Sequence, residues 1–248
     1  MRSLVLPRQR DAPPKHAADA AYLRWDIWRA WALANLAAEA LGLGATLLIG
    51  ILVFGGLESR VGIIPVALLG VILGALCEGS IVGSLQWMVL RRPLPEMRWR
   101  EWSVATAVGA GIAWALGILT GEIMSSIFAQ SSAEADQQVG IGLPMVLLLA
   151  AGMGIALGAL LGAAQWTVLR NHVPRAGWWI PANAVAWAIG MALVFAGMSF
   201  IPDSGVVTPG IVVALLVFIV LAGTAVGAIH GLALIWLVRE RDRAQLVA

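Results

Sequence analysis

Charge is what this sequence has least of. Only 12% of its 248 residues are Asp, Glu, Lys or Arg, against about 25% in soluble domains. Hydrophobic residues make up 60% and mean hydropathy is +0.87. A soluble core of this length could not bury so much apolar surface, so a bilayer has to solvate it. Cysteine is equally scarce: Cys77, alone in an apolar run, forms no disulfide framework and reads as a core thiol. Residues 1–20 lack an apolar stretch long enough for a signal-peptide core, and Pro7, Pro13 and Pro14 predict a disordered tail there. Enzyme motifs are missing too. There is no HExxH, no Walker loop and no Cys/His cluster, His16, His172 and His230 being scattered. The Gly-x-Ser-Gly of an intramembrane serine protease is replaced in the fourth span by GALLG (158–162). These absences predict a non-enzymatic protein. A net charge of +2 and a pI near 9.3 do not indicate a nucleic-acid partner, because the arginines form no basic module.

What is present is a motif, written three times. Gly79–Arg91 reads GSIVGSLQWMVLR, Gly158–Arg170 reads GALLGAAQWTVLR and Gly227–Arg239 reads GAIHGLALIWLVR. Each has two glycines four residues apart, an apolar run, and an arginine twelve residues after the first glycine. Gln86–Trp87 and Gln165–Trp166 match; Leu234 and Ile235 stand there in the third copy. Each copy closes a long hydrophobic segment.

Hydropathy predicts six spans: about Trp31–Phe54, Ile63–Leu90, Trp102–Phe128, Met145–Leu169, Trp179–Ile201 and Ile211–Val238. Each is long enough to cross ~30 Å of hydrocarbon. Gly55–Val61 reads as a short connection, and Pro93 and Pro95 break the helix after the first motif. Six spans place every Lys and Arg except Arg60 on one side, with Glu134, Asp136 and Asp203 on the other. That bias predicts cytoplasmic N- and C-termini. Trp25, Trp28, Trp31, Trp87, Trp99, Trp102, Trp166, Trp178 and Trp179, with Arg91, Arg170 and Arg239, are expected as interfacial anchors.

The odd-numbered spans open alike, on WRAW (28–31), WREW (99–102) and GWW (177–179). The expected architecture is therefore all-α: three tandem helical hairpins (about 21–92, 96–172 and 175–240) in a pseudo-threefold bundle, with a short tail at 241–248. Small residues four apart let helices approach closely in lipid, so Gly79/Gly83, Gly158/Gly162 and Gly227/Gly231 are expected packing grooves. Gln86 and Gln165, on the same helix faces, are expected to hydrogen-bond across helices.

Four ionisable residues lie inside the spans: Glu39, Glu78, Glu122 and His230. No Lys or Arg accompanies them, so the acids are protonated, share a proton with His230, or face a wet cavity. Helical rise places Glu39 roughly 16 Å from Trp28 and Glu78 roughly 20 Å from Arg91, both near mid-membrane. They form a candidate ligand or proton site. No cofactor is named by the sequence, and a pigment or haem on His230 stays an open alternative.

Gln165–Arg170, with Pro174–Trp179 after it, resembles a Gln-Trp-x-Val-Leu-Arg pattern of uncharacterised multi-span membrane proteins of bacteria. The resemblance covers hairpins two and three best. It implies a bacterial inner-membrane location and carries no activity. Two functions stay open. One is an accessory subunit or a binder of a lipophilic ligand, with a partner membrane subunit or a second copy beside it in the bilayer. The other is a proton-coupled small-solute carrier using Glu39, Glu78 and His230.

Overall fold

The computed structural model describes the backbone of residues 15–61, 63–134, 142–202 and 206–247, with their side chains except at 15–23, 47, 50–61, 63, 67, 122–134 and 247. Of the tail expected at residues 1–20, residues 1–14 lie outside these, as do 135–141 and 203–205. Residues 15–20 are the first residues of a helix and not a disordered stretch, no proline following Pro14 there. Helix α1 is Lys15–Val61, α2 Ile63–Leu73, α3 Ser80–Leu90, α4 Trp99–Glu134, α5 Leu143–Leu169, α6 Trp179–Met198 and α7 Pro209–Val247. Between α2 and α3, Gly74–Gly79 is a single π-helical stretch that keeps the span continuous. No strand occurs among the described residues.

Five stretches of the described chain are long and apolar enough to cross a membrane, Ile64–Leu90, Trp99–Gly121, Leu143–Leu169, Ala176–Met198 and Pro209–Leu246. The 47-residue α1 is a sixth helix of sufficient length. Boundaries follow local chemistry where proline supplies it. The chain leaves α3 through Pro93 and Pro95. Pro144, in the first turn of α5, follows an extended Gly142, where a missing N–H costs nothing. The first connection differs from expectation, since α1 stays helical through Val61 and α2 begins at Ile63. No proline interrupts Gly55–Val61, so every residue there keeps the backbone N–H that a helix needs.

The helices close into a ring. α1 touches the α2–α3 span, which touches α4; α4 touches α5, α5 touches α6, α6 touches α7, and α7 returns to α1. Three of these seams are built on glycine. A methyl group at Gly83 would stand 2.8 Å from Ser103 Cα and 3.1 Å from Thr106 Cβ. One at Gly162 would meet Asn183 Cβ at 2.8 Å and Ile180 Cα at 3.1 Å, and one at Gly227 would meet Asn35 Cβ at 2.8 Å and Ala32 Cα at 2.9 Å. One turn earlier, Gly79 faces Ala107 and Ala110, Gly158 faces Asn183 and Trp187, and Gly223 faces Asn35 and Glu39. Gly231, one turn further along α7, meets only the Trp28 ring among its nearest atoms. In the third seam the glycines equivalent by contact are thus Gly223 and Gly227, one turn away from the pair that matching arginines selects.

The two ends of the ring differ. At the motif-arginine end a dense cluster joins Trp31, Leu90, Leu94, Met97, Trp102, Leu169, Trp179, Leu234 and Leu237, each at most 2% exposed. Trp31, Trp102 and Trp179 are therefore core residues and not the interfacial anchors expected, while Trp25, Trp99 and Trp178 are exposed. Rotation about the helix separates them: at about 100° per residue, Trp102 stands about 60° round from Trp99 and Trp179 about 100° round from Trp178, which brings the second of each pair onto the packed face. Arg91 lies 5.4 Å over Trp87, and Arg170 lies 4.9 Å over Trp166, the same (i, i+4) pairing in two motif copies.

Candidate functional site

Above the tryptophan cluster sits a layer of buried hydrogen bonds. Trp102 Nε1 donates to Gln86 Oε1 at 3.1 Å, and Gln86 Nε2 donates to Asn35 Oδ1 at 2.9 Å. One seam on, Trp179 Nε1 donates to Gln165 Oε1 at 2.8 Å, and Gln165 Nε2 donates to Thr106 Oγ1 at 3.1 Å. Gln165 Nε2 also lies 3.1 Å from Gln86 Oε1, which joins the two. Both glutamines do what their position on the glycine face predicts, crossing between helices. Asn35 and Thr106, which accept from the glutamines, and Asn183 at the same level share a sequence signal. Each follows a buried tryptophan (Trp31, Trp102, Trp179) by four residues, so the polar atom lies one turn above the indole.

The ionisable residues separate into layers. Glu39 is 1% exposed and Glu78 is 8% exposed, and they are neighbours. A methyl group at Gly42, one turn after Glu39, would stand 3.0 Å from Glu78 Cα. Glu39 in turn covers Gly223 of α7. Glu78 Oε2 accepts from Trp114 Nε1 at 2.7 Å, whereas Glu39 Oε2 is buried without a partner. The π-helical stretch carries Glu78, and bare Gly74 at its start lets the Trp114 indole lie against the backbone there. Such single π turns inside α-helices recur at functional sites. His230 is 1% exposed and lies two turns of α7 from Gly223, about 10 Å nearer the arginine end by helical rise. It belongs to the tryptophan and amide layer, its ring 5.2 Å from that of Trp179. Glu122 lies in α4, outside the described side chains.

Next to Glu78 the ring opens into a cavity of about 270 Å³ between α4, α5 and α6. Met153, Leu157, Met191, Val194, Phe195 and Trp114 line it, and Glu78 is its one ionisable lining residue. Sequence reasoning found Glu78 from its charge but not Trp114, whose mid-span position marks it as no interfacial residue. Methionine and aromatic walls adapt to irregular apolar shapes. The carboxyl can receive a hydrogen bond or a positive charge from whatever occupies the space. Trp187, also in the wall, has a buried Nε1 without a partner.

Fold and site together define a multi-pass α-helical protein suited to a lipid bilayer, with one apolar cavity beside a buried acid among its described residues. No protein-family model, curated protein or solved structure matches the chain.

Proposed function

We propose that this chain is a non-enzymatic integral membrane module that binds a lipophilic ligand in the cavity beside Glu78. One observation carries the reading: the cavity wall is apolar on every side except at Glu78 and the two indoles. A hydrophilic solute would lose its hydration there and gain few partners. An alkyl or aromatic body with a hydroxyl or amine head would bury its body against Met153, Leu157 and Phe195 and donate to Glu78. The reading takes the spans as three tandem hairpins around a pseudo-threefold axis, both termini cytoplasmic, in a bacterial inner membrane. The like contacts of the three glycine seams and the one-sided arginines support that arrangement.

The test uses the full chain in lipid nanodiscs with a brominated long-chain amine, read by quenching of tryptophan fluorescence. Gly117→Leu fills the cavity from α4 while meeting only Leu157 Cδ1, 3.8 Å from the first added carbon. Saturable quenching in the wild type that this variant weakens at least tenfold is expected. Equal quenching in both would show that the probe reports on bulk lipid and would defeat the proposal.

A second reading, proton-coupled transport, draws on the partnerless Glu39 carboxylate oxygen beside Glu78. It requires that Glu78→Gln abolish pH-gradient-driven uptake into vesicles. A binding module would keep its fold in that variant and lose only part of its affinity for the amine.

A further inference from the structure

Two seams of the helix ring carry a complete hydrogen-bonded station, and the third carries its parts. At the first seam Gly83 faces Ser103 and Thr106, and Gln86, three residues later, accepts from Trp102 and donates to Asn35. At the second seam Gly162 faces Ile180 and Asn183, and Gln165, again three residues later, accepts from Trp179 and donates to Thr106. At the third, Gly227 faces Ala32 and Asn35, and the residue three later is His230. By the same rule that residue accepts from Trp31 on α1 and donates to Asn183 on α6. Apart from Ser103 Oγ at the first seam, four side-chain atoms at this level are buried without a partner: Trp31 Nε1, Asn183 Oδ1, and both ring nitrogens of His230. They are one donor, one acceptor, and one group that supplies one of each.

We infer that His230 is the third member of the polar ring begun by Gln86 and Gln165, closing it by accepting from the Trp31 indole and donating to the Asn183 amide oxygen. A neutral imidazole has one bare nitrogen and one N–H, which is what a glutamine amide offers at the other two seams. The four atoms make no direct bond to one another, so each link runs across one buried water, which a polar site with these partners holds. Four polar atoms taken from water and left unpaired would weaken the seam between the first and last helices. Trp31 and Trp179 already meet edge to face at 5.8 Å, and the His230 ring lies against Trp179, so the parts are gathered. The inference concerns how the ring closes and stands whether or not the cavity binds a ligand. It makes His230 a fastening residue, neither a haem ligand nor a proton carrier.

The matching of sequence motifs hides this relation. Aligning the motif arginines pairs Gln165 with Leu234, whereas aligning the glycine contacts pairs it with His230, four residues earlier.

The experiment takes the full chain in mild detergent with His230→Gln and His230→Leu. Glutamine should melt within a few degrees of the wild type or above it, and leucine several degrees below. Leucine melting as high as glutamine would overturn the inference, since an apolar packing position accepts leucine. If the leucine variant fails to assemble, nitrogen-15 spectra decide. With His16 and His172 replaced by alanine, His230 should appear as a single neutral tautomer. Trp31→Phe should shift its bare nitrogen, and Asn183→Ala should change the tautomer balance. A tautomer mixture that neither substitution moves would overturn the inference equally.

Discussion

At the scale of single residues, stability concentrates in a few buried amides. Gln165 joins three helices, bonding Trp179, Thr106 and Gln86. Gln165→Leu should therefore cost about 1–3 kcal/mol for each stranded polar group, measured as the loss of folded protein on urea or thermal titration in detergent. Glu78 behaves differently, because glutamine retains an oxygen for Trp114 Nε1. Glu78→Gln should leave the melting temperature nearly unchanged and weaken the brominated amine by about tenfold, ~1.4 kcal/mol. An unchanged affinity would show that the amine head does not reach the acid. Much of this residue layer was legible in sequence. Glu39, Glu78 and both glutamines announce themselves as polar residues in apolar runs. Trp31, Trp102 and Trp179 were visible but misplaced, since a tryptophan near a span end looks the same whether it anchors at the headgroups or turns inward to a glutamine. Only the partner distinguishes them, and the partner is far away in the chain.

Among the helical elements, glycine decides which faces meet. Leucine at both Gly158 and Gly162 would collide with the backbone of Asn183 and Ile180, so the double variant should lose most of its folded fraction in mild detergent. Gly152 lies on the same helix with nothing within 4 Å. Gly152→Ala should be neutral or stabilising by up to about 1 kcal/mol, because alanine is the better helix former. Similar losses in the two variants would mean that helix propensity, not contact, sets the effect. Five span positions were legible from length and hydropathy, and the turn after α3 from its prolines. The first connection was not, since Gly55–Val61 holds the residues of a turn while the backbone remains helical. The π-helical stretch had no sequence signal either. It is set by the fit of Gly74 to Trp114 and of Glu78 to Gly42, contacts between residues distant in sequence.

For the whole molecule, the proposed orientation is open to direct measurement. Single cysteines in a Cys77→Ala background at positions 96, 172 and 245 should react from the cytoplasmic face only, and at 135 and 205 from the outer face only. Outer-face labelling at 172 would rule out the six-span arrangement. The slipped third seam has a consequence of its own. The glycine contacts of all three joints fall at the same place relative to Trp102, Trp179 and Trp31. What is out by four residues is the arginine, which follows its glycine about 6 Å later along α7 than along α3 and α5. Gly223, Gly227 and Gly231 form a ladder of three rungs on α7, of which the first two meet the backbone of α1 and the third meets the Trp28 ring. Sliding α7 by one rung would bring Leu234 to the level of His230 and draw Arg239 level with Arg91 and Arg170. The three arginines would then lie level, and the histidine would leave the ring. The chain thus carries two thread positions for a single joint, and the fastening inferred for His230 selects the one that keeps the polar ring level.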